Sequence, residues 1–237
     1  MQKSYTDCAI HIVCIFGLTG EVFSQTLVSC YFMKTVTEQN FDIIIKDCFK
    51  TILKPLGFKK KGNNFYRQLQ NLGQIINVQK SSFYSKDHIS FTINTGLFIP
   101  EYWLTFYTYH NGTIPDYPTE PICAIRQRIG KLKYNIDKWF DIDLVTDIAE
   151  LKRETADNVL NFIIPYFEKN KTQSDVIQLL QDENIKLDKL ARLIIFGEYK
   201  HFDKAQLEYD KLKQDKYTFT NMKATLFEYR DKYTLAD

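Results

Sequence analysis

Three β-rich runs in close succession constrain this chain more than any other feature. Phe65–Gln70 leads through Asn71-Leu72-Gly73 to Gln74–Ser82, and a Tyr-Ser-Lys-Asp turn leads on to His88–Phe98. Connections this short cannot hold a crossover helix, so the runs must pair as an antiparallel meander. Along the third run Ile89, Phe91, Ile93, Thr95 and Leu97 fall on one side, and His88, Ser90, Thr92 and Asn94 on the other. A strand alternates its side chains between faces. The spacing therefore predicts a sheet with one apolar face for helices and one polar face.

Helical patterns flank the meander. Phe41, Ile44, Ile45, Cys48, Phe49, Ile52 and Leu56 recur at helical spacing with charged residues between them, and Pro55 and Gly57 stop that helix. Thr35 and Glu38 have the spacing of a capping box at its start. Residues 99–121 hold four prolines and read as part extended, part surface loop; Ile122–Leu132 returns to the sheet and Lys138–Ile142 adds a short edge strand. From Asp143 the pattern is helical, with Leu144, Ile148, Leu151, Val159, Phe162 and Ile163 along one helix perturbed near Pro165. Three or four further helices fill 172–235 after a break near Lys169–Gln173. Gly197, Tyr199, Ala205 and Tyr209 are spaced as in a tetratricopeptide hairpin, but one unit cannot build a solenoid, so an ordinary αα-hairpin is expected. The expected fold class is α+β: an N-terminal helix, an antiparallel sheet of about four to five strands, and C-terminal helices packed on one face.

Residues 1–32 differ from the rest. They carry three of the five cysteines, and the Cys8–Leu18 apolar run has the length of a signal h-region, with Leu27-Val28-Ser29-Cys30 outlining a lipoprotein cleavage box. Asp7, Glu21 and Gln25 interrupt that pattern, and the run is far shorter than the roughly 20 residues of a membrane span. Met33 opens a natural beginning. The expected organisation is a poorly ordered or weakly helical extension at 1–32, an α+β core at 33–170 and a helical extension at 171–237. The odd cysteine count with no CxxC pair fits a reducing, cytoplasmic setting; secretion or lipidation through residues 1–30 is the minority reading.

No catalytic signature is present: no Gly-rich phosphate loop, no HExxH and no GxSxG. Histidines 11, 88, 110 and 201 share no ligand spacing, so no metal site or cofactor is expected. Asp141-Ile142-Asp143 has a DxD outline but directly precedes a helix, where aspartate serves as a cap. The polar sheet face offers more. Asn77 and Gln79 share one side of the second run, Thr92 and Asn94 one side of the third, and Arg126 and Arg128 are two apart. Amides beside guanidinium forks suit a carboxylate, a phosphate or an acidic loop, although they also serve simply to solvate an open face. Charge is lopsided: Cys48–Lys86 holds eight basic residues and no acidic one, leaving 23 basic against 29 acidic elsewhere. Lys59, Lys60, Lys61 and Arg67 make an alternative basic patch, or else guard a strand edge.

LKPLGFKKKGNNFYR, IINVQKSSF and FTINTG in that order, followed by IRQRIG, Trp139 and IIPYFEKN, resemble the bacterial family known as domain of unknown function 4304. The resemblance covers roughly residues 38–168. It rests on Gly57, Phe58, Phe65, Arg67, Gln79, Ser81, Asn94, Gly96, Arg126 and Arg128. It implies fold and domain limits but no activity. Three functions are then open. The first is a non-enzymatic module that binds a protein partner, such as a toxin, through Arg67, Asn77, Gln79, Thr92, Asn94, Arg126 and Arg128 or the aromatic loop at Trp103. The second is nucleic-acid binding through Lys59, Lys60, Lys61 and Arg67. The third is a small-anion binder, or an uncharacterised enzyme, at Gln79, Asn94, Arg126 and Arg128, favoured if these converge in a pocket.

Overall fold

The computed structural model describes residues 34–237, apart from 84, 86, 108–110, 183 and 186. The expectations for residues 1–32 fall outside the described residues. Residues 35–237 form one compact unit.

The first helix starts where the capping box predicts: Glu38 N–H donates to Thr35 Oγ1 at 3.3 Å and Thr35 N–H to Glu38 Oε2 at 2.9 Å. Helix α1 (Val36–Ile44) passes through a π-helical turn, Ile45–Lys50, into α2 (Thr51–Leu53) and a 3-10 turn, Lys54–Leu56. A π turn takes up extra residues, so the buried face slips by one position beyond it. Leu53 is therefore fully buried where the even helical spacing predicts Ile52, and Leu56 is exposed. Gly57 ends the segment at φ +86°, a left-handed conformation that disfavours any residue with a Cβ.

The sheet has six antiparallel strands: β1 (Lys59–Lys61), β2 (Asn64–Gln68), β3 (Gly73–Lys80), β4 (Ile89–Phe98), β5 (Ile125–Arg128) and β6 (Phe140–Ile142). The first four form the meander in order. Strands β5 and β6 both pair with the far side of β4, β5 along Asn94–Leu97 and β6 along Ile89–Phe91. On one face Phe65, Ile76, Val78, Phe91, Ile93, Leu97 and Ile125 enter the main core. Phe49 stacks on Phe65 at 5.7 Å there and Phe58 lies 6.0 Å from Phe167.

The opposite face is not the uniformly polar one that the alternation predicts. Tyr66, Ile75, Phe98 and Cys123 join Trp103 in a second, smaller apolar cluster that covers one end of it. The cover is the 99–123 segment, and part of it is helical rather than extended: α3 (Pro100–Phe106), with Pro100 in its first turn. Tyr102 of α3 turns into the main core and Trp103 into the second cluster. A short helix α4 (Ile129–Lys133) follows β5.

Helix α5 (Ile148–Asn158) begins later than the pattern predicts, because Asp147 rather than Asp141 or Asp143 is its cap, accepting from Ala149 and Glu150 N–H at 2.9 and 3.0 Å. Leu144 accordingly lies outside the helix and is exposed. A π turn, Val159–Ile163, precedes α6 (Ile164–Glu168), where Pro165 sits in the first turn and its missing N–H is tolerated. Four helices complete the chain: α7 (Gln173–Leu179), α8 (Ala191–Glu198), α9 (Phe202–Gln214) and α10 (Lys216–Tyr233). Their buried residues, among them Val176, Leu193, Tyr209 and Leu226, belong to the main core. Among the described residues no helix is long and apolar enough to cross a membrane.

One polar side chain inside this core is fully bonded. Gln74, 0% exposed, accepts from Arg67 Nε and Nη2 at 2.9 and 2.6 Å and donates to the carbonyls of Phe167 and Asn170 at 2.8 and 2.9 Å. It ties β2 and β3 to the end of α6.

Candidate functional site

Strand register assembles the site. Asn64 pairs with Asn77, Asn77 with Asn94, and Asn94 with Arg128, so four polar side chains from four strands lie in one row. They bond in sequence: Asn77 Nδ2 donates to Asn64 Oδ1 at 2.8 Å, Asn94 Nδ2 to Asn77 Oδ1 at 3.3 Å, and Arg128 Nε to Asn94 Oδ1 at 3.2 Å. Asn94 Nδ2 also donates to Gln79 Oε1 at 2.8 Å. Arg128 Nη1 donates to both oxygens of Asp137 at 3.0 and 2.8 Å, and its guanidinium carbon lies 5.5 Å from the Trp139 ring. This pairing holds the Asp137 carboxyl below its ordinary value of 3.8.

Arg126 is fixed separately. Its Nε and Nη2 donate to the two oxygens of Glu120 at 2.6 and 3.2 Å, and the bond to Glu120 raises the guanidinium's already high pKa. The Glu120 side chain is only 7% exposed, so this fork is better shielded than an ordinary surface pair, whose net worth is about 0–1 kcal/mol. Gly96, opposite Arg126 in the ladder, is needed for the segment that carries Glu120 to approach. A Cβ there would stand 2.6 Å from Cys123 Sγ.

Between these groups lies an open cleft of about 330 Å³, lined by Gln79, Asn94, Glu120, Arg126, Arg128 and, from the α7–α8 connection, Asp188. Arg126 Nη1, Arg128 Nη2 and Gln79 Nε2 have no acceptor among the described residues. Each is a donor on a side chain whose other atoms are already held. Cys123 also borders the cleft, but burial, with Glu120 beside it, pushes its thiol well above the usual range, which leaves it a poor nucleophile.

Of the expected site residues, Gln79, Asn94, Arg126 and Arg128 come together in the cleft, and Asn77 adjoins them in the row. Three do not. Arg67 lies on the helix-covered face, bonded to Gln74, Leu56 O and Glu168 and 4.8 Å from the Phe58 ring. Thr92 is fully buried and donates to Lys138 O at 2.8 Å. Trp103, expected on a surface loop, is 3% exposed and donates to Thr113 O at 2.9 Å, because α3 turns it inward. Lys59, Lys60 and Lys61 are exposed on the edge strand β1, where like charges oppose pairing with another chain. Asp141 pairs with His88 at 3.0 Å and Asp143 accepts from Val145 N–H and Thr146 Oγ1, so the DxD outline is split between two local roles. Among the described residues no group of three His, Cys, Asp or Glu is placed to hold a metal.

Glu120, Asp137 and Asp188 escape sequence reasoning. Asp137 had the one available signal, its place two residues before Trp139 in a turn after the arginine strand. Glu120 and Asp188 reach the cleft from connections whose path no periodicity encodes.

The domain of unknown function DUF4304 matches residues 49–169, a span that contains every described strand and all the cleft residues except Leu187 and Asp188. The match starts later than the resemblance suggests, leaving all of α1 and most of the π turn after it outside. No curated protein and no solved structure matches the chain significantly. With just over half of its length matched, the chain belongs to the DUF4304 family.

Proposed function

We propose that the chain is a non-enzymatic binding domain that takes a small polar ligand into the cleft on the exposed face of the sheet. The observation that carries this reading is that Gln79, Arg126 and Arg128, each with an unused donor, line one cavity. Fixed donors lose little conformational freedom on binding, so they favour a ligand oxygen over bulk water. The cleft is near the lower end of the size usual for ligand sites, which suits a metabolite better than a folded partner's surface. Burial of Trp103 removes the anchor on which the aromatic-loop version of a protein-partner function depended. The inert Cys123 thiol supports binding without covalent chemistry. We further propose the division expected from the sequence, a 33–170 core with 171–237 as its helical extension; the extension then supplies Asp188 to the site. Cys48 and Cys123 are free, which fits a reducing, cytoplasmic setting.

Thermal-shift screening against L-amino acids, dicarboxylates and inorganic phosphate tests the reading. At least one probe should raise the unfolding temperature of the wild type and leave Arg128→Gln unmoved. Shifts of equal size in both proteins would place binding elsewhere and refute it. Nucleic-acid binding through Lys59–Lys61 is the second reading, motivated by the absence of any ion-pair partner for them among the described residues. It requires affinity that falls steeply with salt and with Lys59→Gln/Lys60→Gln/Lys61→Gln.

A further inference from the structure

The charges around the cleft are unevenly compensated. Arg126 is neutralised by Glu120, and Arg128 by Asp137, each through two hydrogen bonds. The remaining charged lining group is Asp188, which is exposed. Its Oδ2 accepts from Tyr102 Oη at 3.3 Å, and no donor among the described residues bonds Oδ1. The guanidinium side thus presents donors with little net positive charge, and a carboxylate with spare accepting capacity shares the same cavity. A simple anion would gain the three donors but meet the Asp188 carboxylate, which is felt by Arg126 but makes no direct ion pair among the described residues. A cation would gain Asp188 and leave the donors unused. A ligand carrying both an acceptor group and an ammonium satisfies both sides and balances the Asp188 charge.

Resting on the ligand-binding reading above, we infer that the cleft binds a zwitterion of amino-acid size. Its carboxylate takes the hydrogen bonds of Arg126 Nη1, Arg128 Nη2 and Gln79 Nε2, and its ammonium faces Asp188. Binding through paired groups of opposite sign also makes affinity depend weakly on ionic strength, unlike the capture of a bare anion. A free amino acid and the end of a peptide share parts of this chemistry, but a free amino acid or short dipeptide alone brings both charges into a cavity of this volume.

Calorimetric titration of the full chain provides the test. Probes are the L-amino acids, Ala-Ala, the N-acetyl and amide derivatives of the tightest amino acid, succinate and phosphate. Variants are Asp188→Asn and Arg128→Gln, each first checked for an unchanged unfolding transition. The expected result is that amino acids bind and succinate and phosphate do not. N-acetylation should weaken binding about tenfold or more, the effect of one charge-assisted bond. Asp188→Asn should cause the same loss for the amino acid and none for its N-acetyl derivative. Preferential binding of Ala-Ala over every amino acid would identify a peptide as the source of the same chemistry and keep the inference. Tighter binding of succinate or phosphate, strengthened by Asp188→Asn, would overturn the zwitterion while leaving a ligand site. Failure of every probe at millimolar concentration would overturn both.

Discussion

Gln74→Leu should destabilise the sheet measurably, and its cost follows from the fate of four hydrogen bonds. The side chain is completely buried and uses its whole bonding capacity, two acceptor positions and two donors. Leucine keeps similar volume but offers nothing to the carbonyls of Phe167 and Asn170. Leaving a buried acceptor unbonded costs about 1–3 kcal/mol. Phe167 O keeps the Asn170 N–H at 3.1 Å, so the Asn170 carbonyl alone is left unbonded, at about 1–3 kcal/mol, offset by about 1 kcal/mol from the added apolar burial. Arg67 loses less, since Glu168 at 2.9 Å and Leu56 O at 3.2 Å still accept from it. With the Arg67 Nε bond also lost, the net expectation is a loss of about 1–3 kcal/mol, a sizeable part of a typical domain's stability. Urea unfolding followed by far-ultraviolet circular dichroism measures it, with the midpoint falling and the slope unchanged. Gln74→Glu separates the two halves of the network. It keeps the acceptors for Arg67 but turns a carboxylate toward two carbonyl oxygens, so it should cost at least as much as leucine at neutral pH. A loss below about 0.5 kcal/mol in Gln74→Leu, within the range of an ordinary surface change, would refute the reasoning.

Other outcomes follow from particular contacts. Gly96→Ala should destabilise by about 1–3 kcal/mol, because the added Cβ meets Cys123 Sγ at 2.6 Å, and Cys123→Ala in the same chain should restore part of the loss. Equal unfolding midpoints for the single and double variants would show that the close approach is not what matters. Acid should weaken the fold in a defined direction. The carboxyls of Glu168, beside Lys171 and Arg67, and of Asp137, beside Arg128, are held below their ordinary values of 4.5 and 3.8. Their contribution is present above those values and is lost as the pH falls through them toward the depressed values. Urea midpoints measured from neutral pH downward should show that decline, and Glu168→Gln should flatten it; an unchanged profile in Glu168→Gln would contradict the assignment. Burial raises the Cys48 thiol to about 11 and pushes Cys123 well above its usual range. Peptide mapping after iodoacetamide treatment should find both unlabelled in the native protein and labelled in denaturant; native labelling of Cys123 would mean that the cleft opens to it.

The meander was legible because its turns are short and its alternation regular, and the shared face of Arg126 and Arg128 followed from a two-residue spacing. Alternation states which face a residue takes but not what lies opposite. The bond from Arg128 to Asn94 needed the β4–β5 register, set by a connection of more than twenty-five residues. Trp103 was misread because its surroundings are rich in proline, yet proline in a first helical turn starts α3 instead of preventing it. Ile52 and Leu53 exchanged places because a π turn is invisible to a search at 3.6-residue spacing. Arg67 followed its family motif to the opposite face, where Gln74 gives it a structural partner.

The central claim is that ligand binding occurs among Gln79, Asn94, Arg126 and Arg128. Amide and guanidinium nitrogen chemical shifts, recorded by NMR while the tightest-binding probe of the panel is added, test it most directly. The account predicts that the largest changes fall on the Nε of Arg126 and Arg128, the side-chain amides of Gln79 and Asn94, and the backbone around Asp188. Changes confined to Lys59–Lys61, or spread evenly over the sheet, would contradict it.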